Sequence, residues 1–379
     1  MAATYEVNLY INGTLLGNVR GLAQDLSWSR KRTKVGADSI DFKVNDVLFN
    51  KWCQDRRASI NDVLKPLSTE CRIVRNGVEL VGGFLATMPA YQPLQTSANL
   101  VFRFDGLLNL LAGVYIRNTV STLPFGTISG PAGSLVVQMI DLANSVSGVA
   151  GKSYGFVAGE IDSLASIIHT FDNYKTVKDW ICDRCDNTTG AGSFDVYFHP
   201  NKVYDVKADS NFGDVITDWV AYYPARLSGT SATSISASEV GDFASAVIGL
   251  GAGEVSANPN EFTAVLNYTA DRATVQEYGY YETLYQDSSI SDSGTLGRNV
   301  NAELWNRGNP IWQPQITLEG IQVAPTPSGY KKIWIGDTIT VNNSEDLTGM
   351  TNGSFRVNEL NVKISAKGDE TITPVLERV

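Results

Sequence analysis

The chain has 379 residues, 43% of them hydrophobic and 10% aromatic, enough apolar surface for several packed cores, which excludes a generally disordered chain. Its formal net charge of -10, from 30 Lys and Arg against 40 Asp and Glu, lacks the basic footprint that holds a nucleic-acid backbone. Four cysteines (Cys53, Cys71, Cys182, Cys185) are too few for a disulfide scaffold of this size and fit folding in a reducing compartment.

The opening MAATYEVNLYING has neither the charged nor the apolar region of a secretory signal. Residues 4–104 then read mostly as strands. YEVNLYING ends in an Asn-Gly turn, GADSIDFKV sets Ile40, Phe42 and Val44 on one face, CRIVRNGVELVGGFLATM holds two strands around a second Asn-Gly, and ANLVFRFDGL alternates again. Between them NDVLFNKWCQD, at 45–55, reads as a short helix capped by Asn45 or Asp46. The pattern predicts a small antiparallel β-barrel over 1–112, with Gly82 and Gly83 shaping a strand end. Charge is uneven: residues 1–110 hold 13 basic and 10 acidic side chains, leaving 17 and 30 for the rest. Phosphate would therefore be met near SRKRTK at 29–34, although a solvated strand end or a subunit contact is the simpler reading of that run. LLNLLAGVYI at 107–116 is interrupted by Asn109 and falls well short of the ~20 residues that span a bilayer, so no membrane span is expected.

From 113 to 228 the pattern turns to α+β. GPAGSLVVQMIDLANSV carries Leu135, Met139, Leu142 and Val146 at helical spacing, and a second helix starts at Thr176 with Val177, Trp180, Ile181 and Cys185 along one face. A hairpin follows, turning at His199-Pro200-Asn201, and SGTSATSISAS reads as a polar crossing. Strands at ASAVIGLGAG and EFTAVLNYTAD, a helix around 294–308, and four further strand-like runs complete the chain. The predicted class is α+β, mainly β, with a second barrel from 229–265 and 309–379 and a small helix-bearing insert at 266–308. Gly336 and Asp337, in the turn Trp334-Ile335-Gly336-Asp337, should shape that second barrel. EYGYYETLYQDSSISDSG has no clean period, and its Tyr278, Tyr280, Tyr281 and Tyr285 form a candidate aromatic contact surface.

Few motifs carry chemistry. SAVIGLGAGEV places Gly249, Gly251 and Gly253 at alternate positions, but Glu254 stands where a dinucleotide fingerprint needs its third glycine and a proline stands where its helix should run. A strand end that needs close backbone approach or a bulge explains the glycines better. Cys182 and Cys185 form a CxxC inside a predicted helix, without a second pair for zinc and away from the helix N-terminus a redox site requires, so free thiols are expected. The chain has two histidines, His169 and His199, and no HExxH, nucleophile-elbow or Walker sequence. No catalytic residue, cofactor or metal site is predicted.

The order of elements resembles the tail hub proteins of long-tailed bacteriophages. GADSIDFKVND, RIVRNGVELVGGFL and ANLVFRFDGLLNLL are similar to that family's first domain, and TFDNYKTVKDWICD followed by SFDVYFHPNKVYDVKAD to its second. SASEVGDFASAVIGLGAGEV looks like its return strand, closing the second barrel, and IWIGDTITV with SFRVNELNVKISAKGDETITPVLE like its closing section. The resemblance implies two tail-tube-like barrels per chain and a homotrimer forming a pseudo-sixfold ring that docks on the tail tube or distal tail protein. The smaller domains would close or open the channel to DNA and the tape-measure protein. Receptor-binding proteins would be neighbours, and the place would be the virion baseplate, assembled in the host cytoplasm. Because the sequence stops at Glu377-Arg378-Val379, just after the last predicted strand, the short lysin-free form of lactococcal siphophages is the nearest type. The acidic surplus after residue 110 suits a channel wall that repels DNA. Two alternatives stay open: a carbohydrate-binding baseplate receptor using the tyrosines, and a tail endopeptidase relying on His169, His199 and scattered acids.

Overall fold

The computed structural model describes residues 3–93, 98–116, 126–149, 153–171, 175–187, 193–224, 230–239, 243–253, 266–278, 280–288, 290, 292–307, 312–319, 321–324, 332–346, 351–366 and 368–379. Among these, no helix is long and apolar enough to cross a membrane.

Alternation builds the first barrel. β1 (Tyr5–Ile11) and β2 (Thr14–Asn18) form a hairpin, followed by β3 (Gln24–Lys31) and β4 (Ser39–Asn45). Helix α1 (Asp46–Asp55) begins where the Asn45 side chain accepts the Leu48 N–H at 3.2 Å, and α2 (Ile60–Val63) leads to β5 (Thr69–Arg75) and β6 (Val78–Leu85). The Asn-Gly pair between β5 and β6 adopts φ of 50° and 82°, the left-handed pair that a tight hairpin of this hand requires. β7 (Ala90–Pro93) and β8 (Ala98–Gly106) complete the set, with strand order β2-β1-β5-β6-β8-β4-β3 and β7 alongside β8. Inward residues stack: Phe42 lies 5.2 Å from Phe102 and 5.7 Å from Phe104 between ring centroids.

A 3-10 segment, Leu107–Gly113, opens the middle unit, which has its own core. It contains β9 (Gly126–Pro131), α3 (Ala132–Val149), β10 (Val157–Ile161), β11 (Ser166–Phe171), α4 (Val177–Asn187) and the hairpin of β12 (Phe194–Phe198) and β13 (Val203–Ala208). Thr176 caps α4 by accepting the Asp179 N–H at 3.0 Å, and Val177, Trp180 and Ile181 are buried, as their spacing predicts.

β14 (Val215–Tyr223) and β15 (Thr230–Glu239) begin the second barrel. The chain then leaves to build a three-stranded sheet of β16 (Ala246–Leu250), β17 (Leu266–Ala270) and β18 (Glu282–Gln286), with α5 (Arg272–Tyr278) and α6 (Ser293–Arg307). It returns through β19 (Trp312–Glu319), the short parallel pair β20 (Gln322–Val323) and β21 (Lys332–Ile333), then β22 (Thr338–Asn343), β23 (Gly353–Ile364) and β24 (Glu370–Arg378). Pairings run β22-β14-β15-β19-β24-β23 and back to β22, so this barrel closes.

Two expectations are corrected. β14, assigned by sequence to the middle unit, belongs to the second barrel, pairing in parallel with β22 and β15. The apolar side chains of Ile216, Trp219 and Ala221 fill that barrel's core. The glycine-rich strand β16, expected to close the second barrel, lies between β17 and β18 in the insert. The physical reason is Gly249: a Cβ there would stand 2.2 Å from a methyl of Val300, so the glycine lets α6 settle onto the sheet.

Where the barrels meet, β23 pairs antiparallel with β3 from Glu359↔Lys31 to Ile364↔Leu26, making one continuous 14-stranded sheet. Their interiors merge into one core, with Trp28 and Trp334 at 6.5 Å across the seam.

Candidate functional site

Three bodies converge on the end of β3, at the basic run 29–34. Arg30, Arg32 and Thr33 are buried there, 2%, 3% and 3% exposed. This overturns the reading of the run as a solvated strand end. Its cations meet carboxylates of the same chain instead.

Arg32 sits at the centre. Its Nε donates to Asp195 Oδ2 at 2.7 Å, a further nitrogen is ion-paired with Asp209, and Nη1 reaches Asn358 Oδ1 at 3.5 Å. The next residue fastens the same partner, since the Thr33 N–H donates to Asp195 Oδ1 at 3.0 Å and its hydroxyl to the Val196 carbonyl. Asp209 is shared with Arg356 Nη1 at 2.5 Å, while Glu377 accepts from Lys34 at 2.6 Å and from Asn358 at 2.9 Å. Arg30 pairs with Asp38, donates to the Phe198 carbonyl and lies 4.3 Å over the Tyr197 ring. Burial pushes the Asp209 and Glu377 carboxyls up, but the neighbouring cations outweigh it and hold both below the usual range, with Arg32 and Arg356 acting on Asp209 and Lys34 on Glu377. First barrel, middle unit and second barrel are locked by one ionic knot.

Beside the knot lies a cleft of about 700 Å³, walled by Tyr197, Phe212 and Trp334 and edged by His199, Asp205 and Asp337. His199 Nε2 and Asp205 Oδ2 are 2.8 Å apart, and Asp205 Oδ1 accepts the Glu160 N–H at 2.8 Å. Asp337 accepts backbone N–H groups from Asp214 at 3.0 Å and Trp334 at 2.7 Å, and its burial pushes the carboxyl up to about 6. These groups spend their hydrogen bonds on one another and on backbone, an arrangement that positions chain segments.

The predicted glycines divide between two places. Gly82 and Gly83 are in β6, where a Cβ on Gly82 would come within 2.9 Å of Pro200 and one on Gly83 within 2.6 Å of the Asp105 carbonyl oxygen. The Pro200 turn therefore seats the middle unit on the first barrel. Asp337 lines the cleft, and its neighbour Gly336, at φ 87°, packs under Phe212, whose ring lies 2.4 Å from where a Cβ on Gly336 would stand. Gly249, Gly251 and Gly253 belong to the insert; Gly249 and Gly251 are buried and Gly253 has φ of 121°.

The tyrosines separate as well. Tyr285 turns toward α6 and its hydroxyl accepts from Asn299 at 3.1 Å, whereas Tyr280 and Tyr281 are exposed. The side chain of Tyr278 lies outside the described residues, as does that of His169. Tyr268, which the sequence reading passed over, joins Tyr280 with their hydroxyls 3.1 Å apart; the alternation of LNYTA was the signal for it. All four cysteines are free thiols, Cys182 half-buried and Cys53, Cys71 and Cys185 buried.

No family model and no curated protein matches the sequence. Solved structures do match. A 43 kDa tail protein of prophage MuSo2 from Shewanella oneidensis superposes with a TM-score of 0.59 at 10% identity, covering 99% of this chain and 98% of that one. A tail protein from Neisseria meningitidis MC58 gives 0.60 at 12% identity, covering 99% and 96%. Prophage tail protein gp18 from Listeria monocytogenes EGD-e gives 0.56 at 11% identity, covering 99% and 94%. The chain thus has the fold of prophage tail proteins over nearly its whole length.

Proposed function

We propose that the chain is a structural, non-catalytic hub at the distal end of a phage tail. The observation that carries this reading is the β3–β23 seam, which joins two barrels into one continuous sheet within a single chain. Each chain then offers two barrel segments side by side, and three chains offer six. A homotrimer of this kind matches a sixfold tail tube or distal tail protein on one side. The middle unit and the insert sit at the other end of the design and close or open the channel during infection. Receptor-binding proteins and the tape-measure protein are neighbours, DNA passes without specific binding, and the assembled protein resides in the virion. The likeness to prophage tail proteins across the whole chain supports the same role.

Light scattering on the purified protein, alone and mixed with the tail tube protein, tests it. A species of three 41.1 kDa chains that forms rings is the expected result. A monomer at every concentration, with and without the tube protein, overturns it.

A further inference from the structure

Asn-Gly pairs occur at Asn12-Gly13, Asn76-Gly77 and Asn352-Gly353, and the structure holds them unequally. Two have their side-chain amides tethered. Asn76 Oδ1 accepts the Thr4 N–H at 2.9 Å, while Asn352 Oδ1 accepts the Asn343 N–H at 2.7 Å and its Nδ2 donates to the Asn343 carbonyl at 2.9 Å. The Asn12 amide has no hydrogen-bond partner among the described residues and stands exposed in the turn between β1 and β2. The hairpins differ as well. β5 and β6, which flank Asn76, are each paired again on their far sides, with β1 and β8. Among the described residues β2 is the edge of the sheet, bonded to β1 alone through four pairs that an irregularity at Leu9 and Tyr10 interrupts. Opening this hairpin gives up few bonds, so it parts more often than the other.

We infer that Asn12 is a site of spontaneous modification, deamidating ahead of the other two asparagines. The Gly13 nitrogen attacks Asn12 Cγ, the Cγ–Nδ2 bond breaks, and ammonia leaves with the proton that Gly13 gives up. Water then opens the cyclic imide. Cleavage of the new Cγ–N bond yields aspartate, whereas cleavage at the α-carbonyl yields isoaspartate, with the backbone routed through the side chain. Water is the co-reactant, and no group is oxidised or reduced. Glycine favours the attack because it has no Cβ to hinder it. The left-handed angles of the closed turn, φ 49° at Asn12 and 79° at Gly13, do not bring the nitrogen onto Cγ, so reaction follows opening of the hairpin. Isoaspartate lengthens a two-residue turn by a backbone atom and adds a negative charge, so the pair Ile11↔Thr14 no longer closes and β2 is released. β2 carries the Asn18 carbonyl that accepts from Trp52 Nε1 at 3.2 Å, so the change reaches α1.

The test ages the full chain in mildly alkaline buffer and locates aspartate and isoaspartate by peptide mass spectrometry, with a urea-unfolded sample alongside. In the folded chain, product at Asn12 is expected about tenfold ahead of Asn76 and Asn352, the ratio that one tethering hydrogen bond of about 1.4 kcal/mol supplies. In urea the three should react at comparable rates. Hydrogen exchange of the aged fraction should quicken in β2 and stay unchanged in the second barrel. Asn12→Gly, which keeps a turn with left-handed angles, is expected to abolish the early product and leave circular dichroism unchanged. Reaction at Asn76 or Asn352 as early as at Asn12 in the folded chain overturns the inference, as does an Asn12 that stays intact in the folded chain while all three react in urea.

Discussion

Arg32 and Asp195, 163 positions apart in sequence, form a buried ion pair at 2.7 Å with side chains 3% and 0% exposed. Removing one partner strands the other charge in a dry site. Arg32→Met is expected to cost about 3–5 kcal/mol in urea unfolding, and Asp195→Asn somewhat less because Thr33 still has an acceptor. The double variant should cost clearly less than the sum, a coupling above ~1 kcal/mol, and additive losses would show that the pair does not act as a unit.

Asp337 gives stability a slope of opposite sign to the usual carboxylate. Its carboxyl is raised from 3.8 to about 6, so the folded protein holds a proton that the unfolded chain releases. The associated stability is fully present below about pH 4 and is lost as pH rises through about 6. In Asp337→Asn this decline should disappear from the melting temperature, while a constant loss of about 1 kcal/mol remains from one forfeited hydrogen bond.

Asp209 and Glu377 act the other way. Both are held below their ordinary values, so the stability they contribute is present above that range and lost as pH falls through the lowered values. Acid unfolding followed by circular dichroism should therefore begin at the ionic knot. Arg32→Met, which removes a cation from Asp209, should shrink that acid dependence; an unchanged acid limb would place its origin elsewhere.

Gly249→Ala tests the seat of α6. The added methyl meets the Val300 side chain at 2.2 Å, an overpacking expected to cost about 1–3 kcal/mol. Hydrogen exchange should quicken through β16 and α6 and stay unchanged in the barrels, and the companion Val300→Ala should restore most of the protection.

Local signals were legible where neighbours in sequence are neighbours in space. The Asn-Gly hairpins, the Asn45 and Thr176 caps and the inward row Ile40, Phe42 and Val44 all follow from short-range pattern. The junction was not legible, since SRKRTK looks solvated until Asp195, Asp209 and Asn358 arrive from distant segments to bury it. β16 was misplaced for a related reason. Alternate glycines report that something approaches the backbone closely, but the partner, Val300, lies on a helix some fifty residues on.

The seam between β3 and β23 also orders events in time. Arg32 and Asn358 are 326 positions apart, so during synthesis the edge of β3 that pairs with β23 stands uncovered until almost the whole of this sequence has been made, although Asp38, Asp195 and Asp209 are available to the arginines before then. A chain interrupted before β23 keeps that raw strand edge on display, with Lys31 and Lys34 lacking Glu359 and Glu377, open to chaperones and proteases. Completion of the sheet thereby hides a template for aggregation that every shorter copy leaves open.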